Sequence, residues 1–171
     1  LGHLYSDQER FKEAEVLYLE AIKIFVAKYG PNHPTVGVFR NNLAVNYVDQ
    51  GLFDDARSVY QNSLKTIEEF FGQDHPQTST VYNNLGIFYS EQNLFNEAEK
   101  YYLKSLNIDK KYFGNYHPKV FIGQVNLIHN YVDSGYLQEA IKLAKNYYTD
   151  KLIFIQNEAP LLSLNDRELF K

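Results

Sequence analysis

Three histidine–proline pairs have the residue type and the regular spacing that could indicate a metal site. They stand 42 residues apart, each histidine three residues after a glycine: His33-Pro34, His75-Pro76 and His117-Pro118. Zinc needs its ligands within ~2 Å of one ion, whereas neighbouring repeats are separated by helices that pack ~8–10 Å apart. A residue that recurs once per repeat normally serves the repeat itself. We therefore expect these histidines to cap the following helix or pack in the turn, and we predict no metal and no cofactor.

The other reactive groups show no catalytic arrangement. His3 and His129 hold the same position in the first and fourth repeats, which is too far apart for cooperation. The chain has no cysteine, which excludes a thiolate nucleophile or ligand within it. No carboxylate pair is placed against a histidine or an apolar pocket, and the Ser, His and Asp residues have no nucleophilic order. The sequence predicts a protein that is not an enzyme.

Composition and charge narrow the classes of partner. The 171 residues carry a formal net charge of −4 and no Lys/Arg-rich run, which disfavours nucleic-acid binding because phosphates require a basic surface. No stretch reaches the ~18 apolar residues of a membrane span, and no signal peptide opens the chain. We expect a cytoplasmic protein with no membrane contact. The absence of methionine and the start at Leu1, inside a motif, indicate a fragment, and the many Tyr and Phe residues hint at a bacterial, AT-rich genome.

A repeat of 42 residues is the strongest signal in the chain. Three positions carry the same residue in all four units: Leu1, Leu43, Leu85 and Leu127; Tyr5, Tyr47, Tyr89 and Tyr131; and Ala14, Ala56, Ala98 and Ala140. So many matches in one register indicate four structurally equivalent units.

Each unit is predicted to contain two helices. From Phe11 to Tyr29, apolar or small residues recur every three or four positions, as on one face of a helix. Gly30 suits the end of that helix, and Pro34 suits the first turn of the next one. Because neither helix alone can bury its apolar stripe, neighbouring pairs must stack into an all-α solenoid. We expect units at about 1–34, 35–76, 77–118 and 119–158, and a helical segment or linker at 159–171.

The order of these residues resembles the tetratricopeptide repeat (TPR). Leu85-Gly86, Tyr89, Ala98 and Tyr102 match its Leu-Gly, Tyr, Ala and aromatic positions. Two features depart from it: the period is 42 residues rather than about 34, and the initial Trp is replaced by Arg40, Tyr82 or Gln124. The extra residues are predicted to lengthen the second helix by about two turns, or ~12 Å.

Two further motifs are similar to the kinesin-light-chain subtype of this repeat. They are Asn41-Asn42-Leu43-Ala44 and Gly72-Gln73-Asp74-His75-Pro76, and the resemblance covers roughly residues 1–150. It implies a right-handed superhelix of antiparallel helix pairs. It also implies that the first helix of each unit lines a concave face, where partners bind as extended peptides or helices.

The fourth unit departs from the pattern. Ala144 replaces its aromatic residue, Tyr147 replaces a small one, and no Gly-x-x-His-Pro loop follows. Repeat arrays usually end in such an atypical unit, so we interpret Leu127 to about Glu158 as the last one. Beyond it, Asn165 and Glu168 have the spacing of a capping box that would open one more helix.

The resemblance places candidate groove residues in five columns along the first helices. From the beginning of the helix to its end, the columns are Val38, Thr80 and Ile122; Asn41, Asn83 and Val125; His3, Val45, Ile87 and His129; Ser6, Val48, Ser90 and Val132; and Asp7, Asp49, Glu91 and Asp133. We predict that a partner contacts ten of them: Asn41, Asn83, Val45, Ile87, His129, Val48, Ser90, Asp49, Glu91 and Asp133.

Each column also has a purely structural interpretation. Val45 and Ile87 could belong to the core between repeats, and Asn42, Asn84 and Asn126 are better explained by the repeat than by specificity. An amide suits pairing with a peptide main chain, which favours Asn41 and Asn83 as binding residues. The acidic column is either a solvated edge or a guide for a basic ligand. The groove lacks the Lys and Arg residues that grip a C-terminal carboxylate, so a ligand with apolar side chains and basic flanks fits better.

Three functions remain open on the sequence. The first is a scaffold that binds a protein or peptide in its concave groove. The second is the sensor or docking arm of a larger enzyme, because residues 161–169 resemble the junction to a caspase-like (CHAT) protease domain whose catalytic residues would lie beyond Lys171. The third is self-association through exposed repeat ends.

Overall fold

The computed structural model describes residues 2–6 and 8–157, without the side chains of His3 and Asn157. The candidate groove residue Asp7, the capping-box pair and the proposed protease junction lie outside the described residues. Within the described ranges the chain forms eight helices and no strand, which confirms the predicted all-α solenoid of antiparallel helix pairs. The helices are α1 (Gly2–Ser6), α2 (Phe11–Tyr29), α3 (Pro34–Asp49), α4 (Phe53–Phe71), α5 (Pro76–Ser90), α6 (Phe95–Phe113), α7 (Pro118–Asp133) and α8 (Leu137–Asn157).

The helices pair in chain order, so that unit one is α1/α2, unit two α3/α4, unit three α5/α6 and unit four α7/α8. Each first helix packs on its own second helix and on the second helix of the preceding unit. The second helices α2, α4 and α6 each contain 19 residues, which corresponds to about 28 Å at 1.5 Å per residue.

Local chemistry sets where the helices begin and end. Pro76 occupies the first turn of α5, where its missing N–H costs no hydrogen bond. Gly72 ends α4 with a φ of 86°, a conformation that glycine adopts without steric penalty. In the turn between α5 and α6 Asn93 also has a positive φ, 59°, and asparagine is among the few residues other than glycine that tolerate a positive φ.

Close contact between the two helices of a unit holds each unit together. Ala14, Ala56 and Ala98 are fully buried on the second helices. Each of these helices also inserts a buried tyrosine one turn later: Tyr18, Tyr60 and Tyr102. In unit three the Tyr102 ring lies directly against Gly86 of α5, where an added Cβ would be 2.5 Å from the ring.

Two buried helical glycines should therefore respond oppositely to alanine. Gly86→Ala should lower the free energy of unfolding by about 1–3 kcal/mol, because the methyl group overpacks against the buried Tyr102 ring. Gly123→Ala in α7 should raise it by up to about 1 kcal/mol through helix propensity, since its Cβ would meet Leu106 at an ordinary 3.4 Å. Urea denaturation followed by circular dichroism measures both, and equal effects would contradict the packing at Gly86.

Candidate functional site

The first helices lie next to one another in a layer of their own. α3 contacts α5, and α5 contacts α7, although a second helix intervenes between them in sequence. The five predicted columns run along the first helices. Their side chains divide into a hydrogen-bonded asparagine ladder, an apolar strip and an acidic edge.

An asparagine ladder links neighbouring first helices. The Asn84 side-chain amide donates to the Oδ1 of Asn41 at 3.2 Å, and the Asn126 amide donates to the Oδ1 of Asn83 at 2.9 Å. In each rung the donor lies in the later unit and the acceptor in the earlier one. The asparagines that sequence analysis divided into structural and binding residues are therefore partners in the same bonds.

Asn41 and Asn83 differ in what remains free for a ligand. Asn41 is only 5% exposed, and its own amide lies 3.4 Å from the Oδ1 of Asn42. Asn83 is half-buried and lies at the edge of a cavity. Its Nδ2 has no hydrogen-bond partner among the described residues. Of the two predicted binding amides, Asn83 is the one with a donor available.

The apolar strip combines core and exposed side chains. Val45 and Val48 are half-buried and pack against the core of units two and three. Ile87 and His129 are exposed, and Ser90 is half-buried beside the Tyr102 hydroxyl. Ile122, at 58% exposure, adds apolar surface at the beginning of α7.

The acidic edge lies at the ends of the first helices. Asp49 and Asp133 are the last residues of α3 and α7, and Glu91 is the C-terminal cap of α5. All three side chains are exposed, and none forms an ion pair within the described ranges. Although the Asp49 side chain is exposed, desolvation by neighbouring atoms, together with the nearby Glu91 charge, raises its pKa. Asp49 and Glu91 are thus close enough to repel each other, and all three carboxylates are placed where the helix dipole disfavours a negative charge.

Two cavities involve residues of these columns. One, of about 350 Å³, lies between α7 and α8 and is mostly apolar; it is lined by Pro118, Phe121, Ile122, Val125, Asn126, Tyr147 and Lys151. The other, of about 160 Å³, lies between α5, α6 and α7, and Asp109 of α6 forms part of its wall. Asp109 was not predicted as a site residue. The signal that could have found it is the 42-residue register, which aligns it with the apolar Phe25 and Ile67.

The repeated histidines cap the first helices. The Nδ1 atoms of His33, His75 and His117 accept hydrogen bonds from the backbone N–H groups of Thr35, Gln77 and Lys119 at 3.1–3.2 Å. Each ring also stacks on the last aromatic residue of the preceding helix: Tyr29, Phe71 or Phe113. Both roles expected for them, capping and packing in the turn, are therefore present. No cluster of three or more potential metal ligands occurs in residues 2–6 and 8–157.

Burial and two charged neighbours act on the pKa of His117. Burial lowers its pKa below the ordinary 6.5, the Lys119 charge lowers it further, and the Asp109 carboxylate opposes both effects.

Among the described helices, none has the length and apolarity needed to cross a membrane.

Comparisons with known proteins identify the repeat and the fold. A family model described as tetratricopeptide repeat matches residues 37–111, and a second with the same description matches residues 1–35. No protein of curated function matches the chain significantly in sequence.

Solved structures with the same fold include BtubC (BKLC) from P. vanneervenii, with a TM-score of 0.81 and 25% identity. That match covers 90% of this chain but only 61% of the BtubC chain. Two structures from Podosopora anserina, described as a kinesin light chain with nearly identical TPR-like repeats, have TM-scores of 0.78 and 0.75 at 20% identity. They cover 92% of this chain and 73% and 74% of their own chains. The kinesin-light-chain-like form of the repeat, expected from the sequence, is thus confirmed for the fold.

The asparagine ladder predicts an energetic coupling between units three and four. Asn126→Ala should lower the free energy of unfolding by about 1 kcal/mol, because the Asn83 acceptor loses its donor. In a double-mutant cycle, Asn83→Ala and Asn126→Ala should couple by about 0.5–1.5 kcal/mol. Asn107, exposed on α6, is the matched control, and its cycle with Asn126 should give a coupling near zero. Equal coupling in both cycles would contradict the ladder.

The His117 cap predicts a specific acid sensitivity. Because the folded state lowers the pKa of His117, the unfolded chain binds the proton more tightly, and this histidine's stabilising effect is lost as pH falls below about 6.5. His117→Asn keeps a side-chain oxygen for capping but does not titrate. When the pH is lowered from 7.5 to 5, the melting temperature of the wild type should therefore fall more than that of the variant. An identical fall would argue against a lowered pKa of His117.

Proposed function

The chain belongs to the tetratricopeptide-repeat family, whose repeats are generally protein-interaction scaffolds, and we propose that it binds a partner polypeptide in its concave groove. The preferred partner segment carries apolar side chains and at least one basic side chain. The fold is typical of non-catalytic scaffolds, and the groove needs no cofactor for this role. The partner meets the first helices and leaves the second helices on the outside.

The observation that carries the proposal is the acidic edge. A carboxylate at the C-terminal end of a helix opposes the helix dipole, at a cost of typically 0.3–1 kcal/mol. Asp49, Glu91 and Asp133 place one there in three successive first helices. Folding alone does not account for this arrangement, because neither a salt bridge nor a capping bond of these side chains occurs in the described part of the chain. A basic ligand would gain from all three charges at once.

The apolar strip supplies the other half of the recognition. Ile87, Ile122 and Val132 are each at least 36% exposed on the first helices, next to the half-buried Val45 and Val48. An extended peptide could place side chains against this strip while its main chain meets the Asn83 amide. The cavity between α7 and α8 adds an apolar recess at the end of the strip.

Charge reversal separates binding in the groove from binding elsewhere. Peptides would be selected on the wild-type chain from a random dodecapeptide display library, and their affinities measured by fluorescence anisotropy. Asp49→Lys/Glu91→Lys should weaken the selected peptides by at least about tenfold, since two attractions become repulsions. The control Glu20→Lys/Glu69→Lys changes the net charge equally but on exposed positions of second helices, and its affinities should stay close to those of the wild type.

Two results would count against the groove. Peptides that bind both double variants equally well would move the interface to another surface. A library that yields no binder at all would show that the groove does not hold a short segment. Circular dichroism of every variant establishes that the fold is retained before affinities are compared.

A further inference from the structure

Asp109 is a buried carboxylate without a hydrogen-bond partner. Its side chain lies on α6 and is only 6% exposed, and its Oδ1 is fully buried with no partner in the described structure. A buried charge is normally paired or hydrogen-bonded, because desolvation is costly. The described fold supplies no group that compensates for the desolvation of this Oδ1 atom.

The repeat shows what a structural residue at this position looks like. The equivalent residue of unit two is Ile67, which is fully buried and packs closely over Gly37. In unit one it is Phe25. In unit three the carboxylate of Asp109 replaces this apolar side chain, and Asp109 lines a cavity of about 160 Å³. That volume is well above the minimum of about 10–15 Å³ that one water molecule needs, and it leaves room for the end of a long side chain.

The cavity is placed to receive a group from the groove. Its wall is formed by Thr80 and Asn83 of α5, Ser105 and Asp109 of α6, and Lys119 and Ile122 of α7. Thr80, Asn83 and Ile122 belong to the first two groove columns, so the cavity lies between two neighbouring first helices, with the α6 residues contributed from the second-helix layer. Asn83, whose Nδ2 has no hydrogen-bond partner among the described residues, is part of this wall. The Ser105 hydroxyl is already bonded to Ser79, and Asp109 is the acidic residue of the wall.

Lys119 is the neighbouring group that could have neutralised Asp109. Its ammonium instead lies 5.4 Å from the centre of the Phe113 ring, and Lys119 and Asp109 form no ion pair within 4 Å. His117 is the other titratable group nearby, and its Nδ1 is occupied by the helix cap. Asp109 therefore lines the cavity with Lys119 in the same wall, but no ion pair links the two side chains among the described residues.

We propose that this cavity is a subsite for a lysine or arginine side chain of the bound polypeptide, with Asp109 as its counter-charge. The inference rests on the proposed function and deepens it. An ionised carboxylate is acceptor-only, so its natural partner is a cationic donor, and Lys and Arg offer three and five N–H donors on a long apolar stem. A metal ion fits poorly, because the wall offers one carboxylate and no histidine. The exposed acidic edge guides the ligand electrostatically, whereas Asp109 selects one of its residues.

The test is a double-mutant cycle between Asp109 and the basic residues of a selected peptide. Each arginine of a groove-binding peptide is replaced in turn by citrulline, its neutral isostere, and each lysine by norleucine. For one basic residue, the replacement should weaken binding to the wild type by at least about tenfold and should have little further effect on binding to Asp109→Asn. Replacement of any other basic residue of the peptide should weaken binding to the wild type and to Asp109→Asn by similar factors.

A second variant distinguishes a ligand contact from a structural role. Asp109→Ile restores the residue of unit two, and it should raise the melting temperature while it lowers peptide affinity, since the buried charge is removed and the counter-charge is lost. If Asp109 instead served the fold, this change would lower the melting temperature. Lys119→Gln should leave the coupling between Asp109 and the basic residue of the peptide unchanged. Loss of that coupling in Lys119→Gln would mean that Lys119 mediates the effect.

The outcomes separate the two proposals. Peptides that lose affinity with Asp49→Lys/Glu91→Lys but show no basic residue coupled to Asp109 would overturn the subsite and leave the groove intact. Peptides insensitive to the acidic edge, or no selected peptides, would overturn the groove and the subsite with it. Coupling of one basic residue to Asp109, together with a more stable Asp109→Ile, supports both.

Discussion

The contact of a tyrosine on the second helix with a small residue on the first sets the geometry of the repeat. The rings of Tyr18 and Tyr102 occupy the space that a side chain on Gly2 or Gly86 would need. Fully buried alanines one turn earlier allow the same close approach. Because this contact sets how closely the first helix lies against the second, it also sets the layer that the first helices form. The candidate groove residues are placed by this packing, and Val45 and Val48 also contact the core that it forms.

In the sequence of the fourth unit, the large and the small residue are exchanged between the two equivalent positions. Its second helix has Ala144 where the others have tyrosine, and its first helix has Ile128 where the others have Gly2, Ala44 and Gly86. What looked like a loss of the pattern in the sequence is thus a change in which helix carries the large side chain. A pattern search that scores one position at a time misses such an exchange, because it does not consider the combined volume of the two positions.

Most of the fold was predictable because each unit repeats the same local chemistry. The helix starts at His-Pro, the ends at glycine and the spacing of apolar residues all follow from local rules, and the 42-residue period repeats each of them. The groove was predictable only in outline. The burial of Asn41 depends on its bond to Asn84 in the next unit, and the cavity beside Asp109 depends on three helices. Neither feature follows from the spacing of residues within one unit.

The asparagine ladder has a direction, which limits how the array is extended. Units two and three each present an acceptor, Asn41 or Asn83, to the unit that follows, and units three and four answer with the donors Asn84 and Asn126. Unit four has Val125 at the acceptor position. A further copy of the repeat inserted between units two and three could form the asparagine bond with both neighbouring units. A copy joined after α8 could not form this bond with unit four, because Val125 offers no side-chain acceptor. Growth by internal duplication is therefore compatible with the ladder, and growth at that end requires a different joint.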